Sequence, residues 1–198
     1  MPEDALQIAE ATTADLDAVH RIESASFPAP WRREFFASEI VGLSRFNIVA
    51  RKDGVVVGYL FGMWIFDEMH VNKIAVDSAH RRQGIANALM QRCFEFAREH
   101  DILSISLEVR QSNRAAQEFY RFLDFETSYI RKRYYPDGEA AVVMVRIERA
   151  MRTPISRARP SATASVTAPT IAPFISLSRS AVASSIGKYC PTSQGRGP

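Results

Sequence analysis

The spacing of apolar residues predicts that the chain begins with helices and continues with strands. From residue 13 onward apolar residues recur at helical spacing, and a second, shorter helix is predicted over residues 32–40. The apolar face of the first helix would consist of Leu16, Val19, Ile22 and Phe27. Residues 46–50 and 55–66 are predicted strands on either side of Lys52-Asp53-Gly54, a sequence typical of a hairpin turn.

The second half of this region alternates strands with helices. The predicted elements are, in order, a strand over 69–76, a helix over 82–100, a strand over 102–109, a helix over 113–123 and two closing strands over 125–134 and 140–147. A pair of strands followed by strands that alternate with helices favours a mixed α/β sheet with helices on both faces.

Two of these segments have a clear apolar face. In the strand over 102–109, the apolar positions are Leu103, Ile105, Leu107 and Val109, and the polar positions are Ser104, Ser106 and Glu108. Ser112 or Asn113 can cap the helix that follows. The predicted buried stripe of that helix is Ala115, Ala116, Phe119 and Leu123.

The composition changes near residue 150. Residues 150–198 are rich in Ser, Thr, Ala and Pro and contain six basic residues but no acidic ones. Because the net charge of the whole chain is +3, residues 1–149 carry −3. We predict one globular domain over 1–149 and a basic, disordered tail over 150–198. The tail could contact nucleic acid or the ribosome, or be an inert extension.

The remaining composition excludes several classes of protein. No apolar run is long enough to span a membrane and the N-terminus lacks a secretory signal, so we expect a cytoplasmic protein. The two cysteines and four histidines lack the spacing of a metal site, and no metal is expected. Cys93 is predicted to be a buried structural thiol.

A basic, glycine-containing turn joins the strand over 69–76 to the next helix. Its sequence, Arg81-Arg82-Gln83-Gly84-Ile85-Ala86, would direct backbone N–H groups and the positive end of the helix at one point. Such a point binds phosphate or pyrophosphate. The spacing matches neither a P-loop nor a dinucleotide fingerprint. The alternative is an ordinary helix N-terminus with a solvated arginine pair.

A second segment, residues 112–125, has the pattern Ser-Asn-x-x-Ala-x-x-x-Tyr-x-x-Leu-x-Phe. With the Arg-Arg-x-Gly-x-Ala turn, it resembles the GNAT superfamily of acetyl-coenzyme A-dependent N-acetyltransferases. Phe27-Pro28-Ala29-Pro30-Trp31, Leu107-Glu108-Val109-Arg110 and residues 133–139 are similar to its ribosomal-protein-alanine N-acetyltransferase branch and the archaeal N-terminal acetyltransferases. The resemblance covers about residues 6–147 and departs from the pattern at Ser78, Ala86 and Asp124.

The resemblance implies a splayed central sheet that admits acetyl-CoA as co-substrate. The amides expected around its pyrophosphate are those of Gln83, Gly84, Ile85, Ala86 and Asn87, with charge added by Arg82. The pantetheine arm would lie along Ile74, Ala75 and Val76. Asn113 matches a coenzyme-contacting residue of the family, and it can equally be a simple helix cap.

Acetyl transfer to an amine needs a base for the amine and an acid for the departing thiolate. The resemblance assigns these roles to Glu108 and Tyr120. Without it, Glu108 would be a solvated residue or a partner of Arg110, and Tyr120 a core residue. The residues suit direct transfer in a ternary complex, since no nucleophile for a covalent acyl-enzyme is evident.

The acceptor site is predicted from the same branch. There, the hairpin that contains Tyr134 and the loop that contains Trp31 flank an N-terminal peptide; the alternative is that the hairpin only packs. We therefore expect a monomer that acetylates a protein N-terminal α-amine, such as the alanine of a ribosomal protein, and binds no membrane and no specific nucleic acid. The alternatives are a lysine side chain or small amine as acceptor, or a non-catalytic acetyl-CoA-binding module.

Overall fold

A computed structural model describes residues 6–148 and confirms the predicted order of elements. The helices are α1 (Leu16–Ser26), α2 (Arg33–Ile40), α3 (Ile85–Glu99) and α4 (Arg114–Phe122). The strands are β1 (Gln7–Glu10), β2 (Arg45–Lys52), β3 (Val55–Ile65), β4 (Glu68–Val76), β5 (Ser104–Arg110), β6 (Glu126–Arg131) and β7 (Ala141–Ile147). The predicted tail over 150–198 lies outside the described residues.

The seven strands form one mixed sheet in the order β1-β2-β3-β4-β5-β7-β6. Every neighbouring pair is antiparallel except β4 and β5, which are parallel. Strand β1 was not predicted from the sequence. It is four residues long and its side chains are largely exposed, so its position depends on backbone pairing with β2 and not on an apolar pattern.

Helices pack on both faces of this sheet, as predicted. Successive residues of a strand point to opposite faces, and β3 shows this directly. Leu60 belongs to the core that includes α3, whereas Tyr59 and Phe61 belong to the core that includes α1 and α2. Cys93 lies in the first of these cores and is fully buried, which confirms its predicted position.

The predicted apolar faces were correct for α1 and for β5 from Ile105 onward, but wrong at Leu103 and at one position of α4. Leu103 precedes β5 and is 43% exposed, because the strand begins only at Ser104. In α4, Ala115 is exposed and Gln117 is buried in its place. The Gln117 side-chain amide donates to Arg110 O at 3.1 Å and to Gln111 O at 2.9 Å, so its polar atoms are satisfied inside the protein.

The sheet splays open in its centre, between β4 and β5. Their pairing ends at Val71 and Leu107, although β4 continues along β3 to Val76. A bulge marks the same place, because Phe61 pairs with Lys73 and Gly62 with Val71, leaving the residue between them unpaired. A Cβ on Gly62 would lie 2.9 Å from the carbonyl oxygen of His70, so only glycine fits this approach. The predicted splayed sheet is therefore confirmed.

Candidate active site

The turn before α3 presents a row of backbone amides. The first N–H of this helix with an acceptor is that of Ala88, which donates to Gly84 O at 2.9 Å. The N–H groups of residues 82–87 have no acceptor within residues 6–148. Arg82 and Gly84 have φ values of 63° and 81°, a left-handed geometry that turns the amides toward one side. The turn therefore presents a row of unpaired amides, and their binding of a phosphate stays a prediction.

The free edge of β4 leads into this turn. Ile74, Ala75 and Val76 pair with β3 on one side, and on the other side they face the opening where β5 has diverged. Backbone groups of an antiparallel pair alternate in direction, so part of this row points into the opening. One carbonyl there, that of Val76, accepts a hydrogen bond from Arg81 Nε at 3.1 Å.

Asn113 is the N-cap of α4. Its side-chain oxygen accepts a hydrogen bond from the N–H of Ala116 at 3.1 Å. The cap that the sequence allowed is therefore real. A contact with the coenzyme stays a prediction for this residue.

Glu108 of β5 is held between His70 of β4, the strand on one side, and Arg131 of β6, which lies beyond β7 on the other side. One carboxylate oxygen lies 2.8 Å from His70 Nε2 and the other lies 2.9 Å from an Arg131 nitrogen. The side chain is only 10% exposed. The alternative partner considered from sequence, Arg110, instead binds Asp137 at 2.7 Å and Glu139 at 2.5 Å. The expectation of a solvated or Arg110-paired Glu108 was wrong.

These partners decide the ionisation of Glu108. Burial alone would raise the pKa of its carboxyl, but hydrogen bonds and charge from His70 and Arg131 outweigh burial and hold the pKa below its ordinary value. Glu108 is therefore a carboxylate at neutral pH. The stability that this pairing contributes is present above the ordinary carboxyl pKa and is lost as the pH falls through the lowered one.

His70 was not identified from the sequence, because no pattern in the chain links it to Glu108. The parallel register places His70 opposite Ser106, two residues before Glu108 on β5. Its Nδ1 lies 2.9 Å from Ser106 Oγ, and that hydroxyl lies 3.3 Å from Met69 O. The only signal in the sequence was a histidine inside the strand that leads to the phosphate turn.

Tyr120 is a core residue, 8% exposed. Its ring packs between Phe119 and Phe125, with centroids 5.4 and 5.7 Å away. Burial, with a smaller contribution from Tyr135, raises the pKa of the phenol, so it stays protonated at physiological pH. Within the described part of the chain the hydroxyl has no hydrogen-bond acceptor.

The two predicted acceptor residues lie in two connections, Trp31 between α1 and α2 and Tyr134 between β6 and β7. The Trp31 ring packs against the rings of Phe35 and Phe36, with centroids 4.5 and 5.3 Å away. The Tyr134 ring lies 4.5 Å from the guanidinium of Arg131, the residue that binds Glu108. The structure thus links the hairpin of Tyr134 directly to Glu108.

Ion pairs also hold the connection between β6 and β7 against the end of β5. Arg110 reaches from the end of β5 to two carboxylates in the β6–β7 connection, and its guanidinium lies 4.1 Å from the Tyr135 ring centroid. The hairpin is therefore held in place by specific contacts. It is more than a solvated basic loop.

Residues 6–148 contain neither a candidate metal site nor a candidate membrane-spanning helix. No group of three His, Cys, Asp or Glu side chains in this region is arranged to hold a metal ion. None of its helices has the length and apolar character needed to cross a membrane.

Comparison with known proteins gives consistent matches. The model of the Acetyltransferase (GNAT) family matches residues 16–125. The ribosomal protein bS18-alanine N-acetyltransferase of Escherichia coli K12 is 34% identical over 140 residues, which covers 69% of this chain and 94% of that protein. An N-alpha-acetyltransferase of Sulfurisphaera tokodaii is 32% identical over 151 residues, covering 70% and 90%.

A solved structure agrees with these sequence matches. The crystal structure of Ard1 from Thermoplasma volcanium superposes with a TM-score of 0.69 at 31% identity, covering 72% of this chain and 97% of that one. Residues 16–125, which the family model matches, contain the amide-lined turn, the splayed strands, and Glu108 with His70. The chain therefore belongs to the GNAT family of acetyltransferases and is an acetyl-transferring enzyme.

Proposed function

We propose that this enzyme transfers the acetyl group of acetyl-CoA to the α-amine at a protein N-terminus, by direct attack in a ternary complex. The observation that carries the proposal is the position of Glu108. It lies where β4 and β5 part, bound to His70 on the coenzyme strand and to Arg131 at the base of the acceptor hairpin. The relatives named for N-terminal acetylation support the same acceptor.

The donor half of the site is built from backbone. In the proposal, the unpaired amides of residues 82–87 and the Arg82 side chain bind the pyrophosphate, where the helix dipole also favours negative charge. The pantetheine arm lies along Ile74–Val76 and directs the thioester toward the start of the splay, near Glu108. Asn113 adds an amide from the start of α4.

The amine is activated by Glu108 with His70. A peptide α-amine has a pKa of about 7.7–8.0, so a positioned base increases the fraction that can attack. Because an ionised carboxylate only accepts hydrogen bonds, His70 Nε2 donates to it. Ser106 Oγ lies 2.9 Å from His70 Nδ1 and 3.3 Å from Met69 O, so it helps to hold the His70 ring in the orientation in which Nε2 faces Glu108.

The transfer balances with one proton accepted and one donated. The amine nitrogen forms a bond to the thioester carbonyl carbon, the C–S bond breaks, and the amine proton passes to the Glu108 carboxylate. The departing thiolate takes the hydroxyl proton of Tyr120, which the raised pKa keeps in place until then. Each of the two groups contributes roughly 10²–10⁴ in rate, typical for acid–base catalysis.

The acceptor is the extended N-terminal segment of a protein, lying between Trp31 and Tyr134. In its most specific form, the proposal is a cytoplasmic monomer that acetylates the N-terminal alanine of a ribosomal protein, because the Escherichia coli relative is named for that reaction. A lysine side chain or small amine is the second candidate, since this fold hosts many acceptors.

A panel of acceptors tests the proposal. Peptides that differ only in their first residue are incubated with acetyl-CoA, and product is followed by released thiol and located by mass spectrometry. Each peptide is matched by a version whose α-amine is blocked and whose interior contains lysine, and a polyamine is included. We expect acetylation of free α-amines, with alanine favoured. Equal turnover of the blocked peptides or the polyamine would replace the proposal with the second candidate.

A further inference from the structure

A fully buried carboxylate on α1 lies outside the proposed chemistry. Glu23 is 0% exposed and is part of the helix face that packs on the sheet. One of its oxygens accepts the Tyr59 hydroxyl hydrogen, and the other accepts the N–H of Trp31 at 2.9 Å. Burying a carboxylate costs several kcal/mol unless it is paired with a cation and hydrogen-bonded. A cation should therefore be present, and there is one.

The cation is Lys73 of β4. Its ammonium lies 2.9 Å from the same Glu23 oxygen that accepts from Trp31, and its side chain is 15% exposed. The ammonium also lies 4.0 Å from the centre of the Phe27 ring and 5.2 Å from that of Trp31, within the range of cation–π attraction. Lys73 thus contacts Glu23 and both aromatic ends of the loop over residues 27–31.

Apart from the ring contacts of Phe27 and Trp31, this loop is held by few hydrogen bonds. Pro28 and Pro30 have no N–H to donate. The two backbone hydrogen bonds found for its amides both end on Glu23, because Phe27 N–H donates to the Glu23 carbonyl at 3.0 Å and Trp31 N–H to its carboxylate. The backbone of Trp31 is therefore held by the Glu23 side chain, and the cation paired with that side chain is Lys73.

We propose that Lys73 is a positioning residue that fixes the 27–31 loop as a wall of the acceptor site, so that it governs capture of the acceptor peptide. The inference rests on the proposed function for the identity of the acceptor. Lys73 lies on β4 between His70 and Ile74, and its ammonium contacts Glu23, Phe27 and Trp31. Among the described residues the turn before α3 makes no hydrogen bond or ion pair with Glu23 or Lys73, although Arg81 of the turn donates to Ser26 Oγ at 3.3 Å at the end of α1.

The test is Lys73→Met, which keeps the aliphatic stem and removes the ammonium. Hydrogen–deuterium exchange at the Trp31 amide should accelerate at least about tenfold, since the acceptor carboxylate loses its cation. The KM for the acceptor peptide should rise about tenfold, the effect of one lost charge-assisted hydrogen bond, while kcat and the KM for acetyl-CoA stay within about twofold of the parent.

Two variants control for loss of fold. In Glu23→Gln/Lys73→Met the unpaired charge is gone and the glutamine oxygen can still accept from Trp31, so exchange and peptide KM should return toward the parent. Arg51→Met removes the partner of Asp15, another carboxylate buried on the sheet-facing side of the α1 region, 3% exposed and 2.5 Å from Arg51, but distant in sequence from the loop. It should leave the peptide KM unchanged.

The results separate the two proposals. Unchanged exchange at Trp31 in Lys73→Met, an equal rise of peptide KM in Arg51→Met, or a fall of kcat with KM unchanged would overturn the role of Lys73. If the parent acetylates no peptide α-amine, the proposed function fails. The exchange measurement needs no substrate and then still decides whether Lys73 holds the loop.

Discussion

The two halves of the candidate site are built in different ways. The coenzyme half consists of backbone groups from one continuous stretch, the end of β4 and the turn into α3. The acceptor half consists of side chains from the α1–α2 loop, β4, β5 and the β6–β7 hairpin, joined by ion pairs and aromatic contacts.

This difference predicts how each half responds to mutation. A backbone site tolerates most side-chain changes and fails mainly where the backbone geometry or the approach of the phosphate is blocked. A site of coupled side chains is sensitive at every member, because each charge is partly buried and depends on its partner. The following substitutions test the contrast, beginning with the largest expected effect.

Glu108→Gln should cause the largest loss. Turnover should fall by roughly 10²–10⁴ with acetyl-CoA affinity nearly intact, since the amide has the same size and only the base is lost. The deficit should shrink as the pH rises past the amine pKa of about 7.7–8.0, because the reaction then uses amine that is already free. The measurement is a pH–rate profile with one peptide that begins with alanine.

A matched control for that variant is Glu148→Gln. Glu148 is also a buried carboxylate paired with an arginine, Arg146, but it lies after the last strand and outside the candidate site. It should lose some stability and keep the parental pH profile. Near-parental turnover in Glu108→Gln would reject Glu108 as the base.

Tyr120→Phe should lower turnover about 10²-fold, at the lower end of acid–base contributions. The ring remains, so the packing with Phe119 and Phe125 is kept. Because the missing step is protonation of the thiolate, raising the pH should not repair the loss. A deficit that disappears at high pH would show that Tyr120 acts on the amine instead.

Gly84→Glu tests the backbone half. A glutamate at φ 81° is strained, and its charge would repel the pyrophosphate. In the parent, acetyl-CoA at a hundredfold excess over its Kd should raise the free energy of unfolding by about 2.7 kcal/mol, and the variant should lose this increase. Thermal unfolding with and without acetyl-CoA measures it.

Gly54→Glu is the control for strain in that experiment. Gly54 has a φ of 76° in the β2–β3 turn and, like Gly84, has no atom within 4 Å of an added Cβ. Its variant should be destabilised similarly and still respond to acetyl-CoA. A full response in Gly84→Glu would place the coenzyme elsewhere.

Removal of the tail should have the smallest effect. Among residues 6–148, no member of either hydrophobic core lies beyond Met144, and the contacts described above for the candidate site join residues of this range. A chain that ends at Arg149 should acetylate peptides at nearly the full rate. A large loss of turnover would assign the tail a part in the site.

The same contrast explains which features were predictable. The amide-lined turn was found from sequence because its residues are contiguous and glycine marks the backbone geometry. The partners of Glu108 were not, because the sequence suggested only Arg110, two residues away, as an alternative to a role as base. In the structure these two residues bind different parts of the β6–β7 region, Glu108 to Arg131 and Arg110 to Asp137 and Glu139.

Two further errors have a similar cause. Gln117 was not included in the predicted buried stripe of α4, because glutamine is polar, yet its side-chain amide donates to two backbone carbonyls inside the protein. Glu23 was not singled out at all, since a carboxylate within an apolar helix face is compatible with burial only once Tyr59, Lys73 and Trp31 are known to meet there.

The sequence by itself determined the order of strands and helices and a mixed sheet, and its family resemblance implied the splay and pointed to the turn that is proposed to bind the coenzyme. These follow from local periodicity and from short contiguous motifs. Only the tertiary structure decided that His70 and Arg131 flank Glu108, and that Lys73 joins Glu23 to the acceptor loop. The physical reason is that strand register and helix packing bring together charges that are distant along the chain, and the pairing of each charge depends on what burial removes from water.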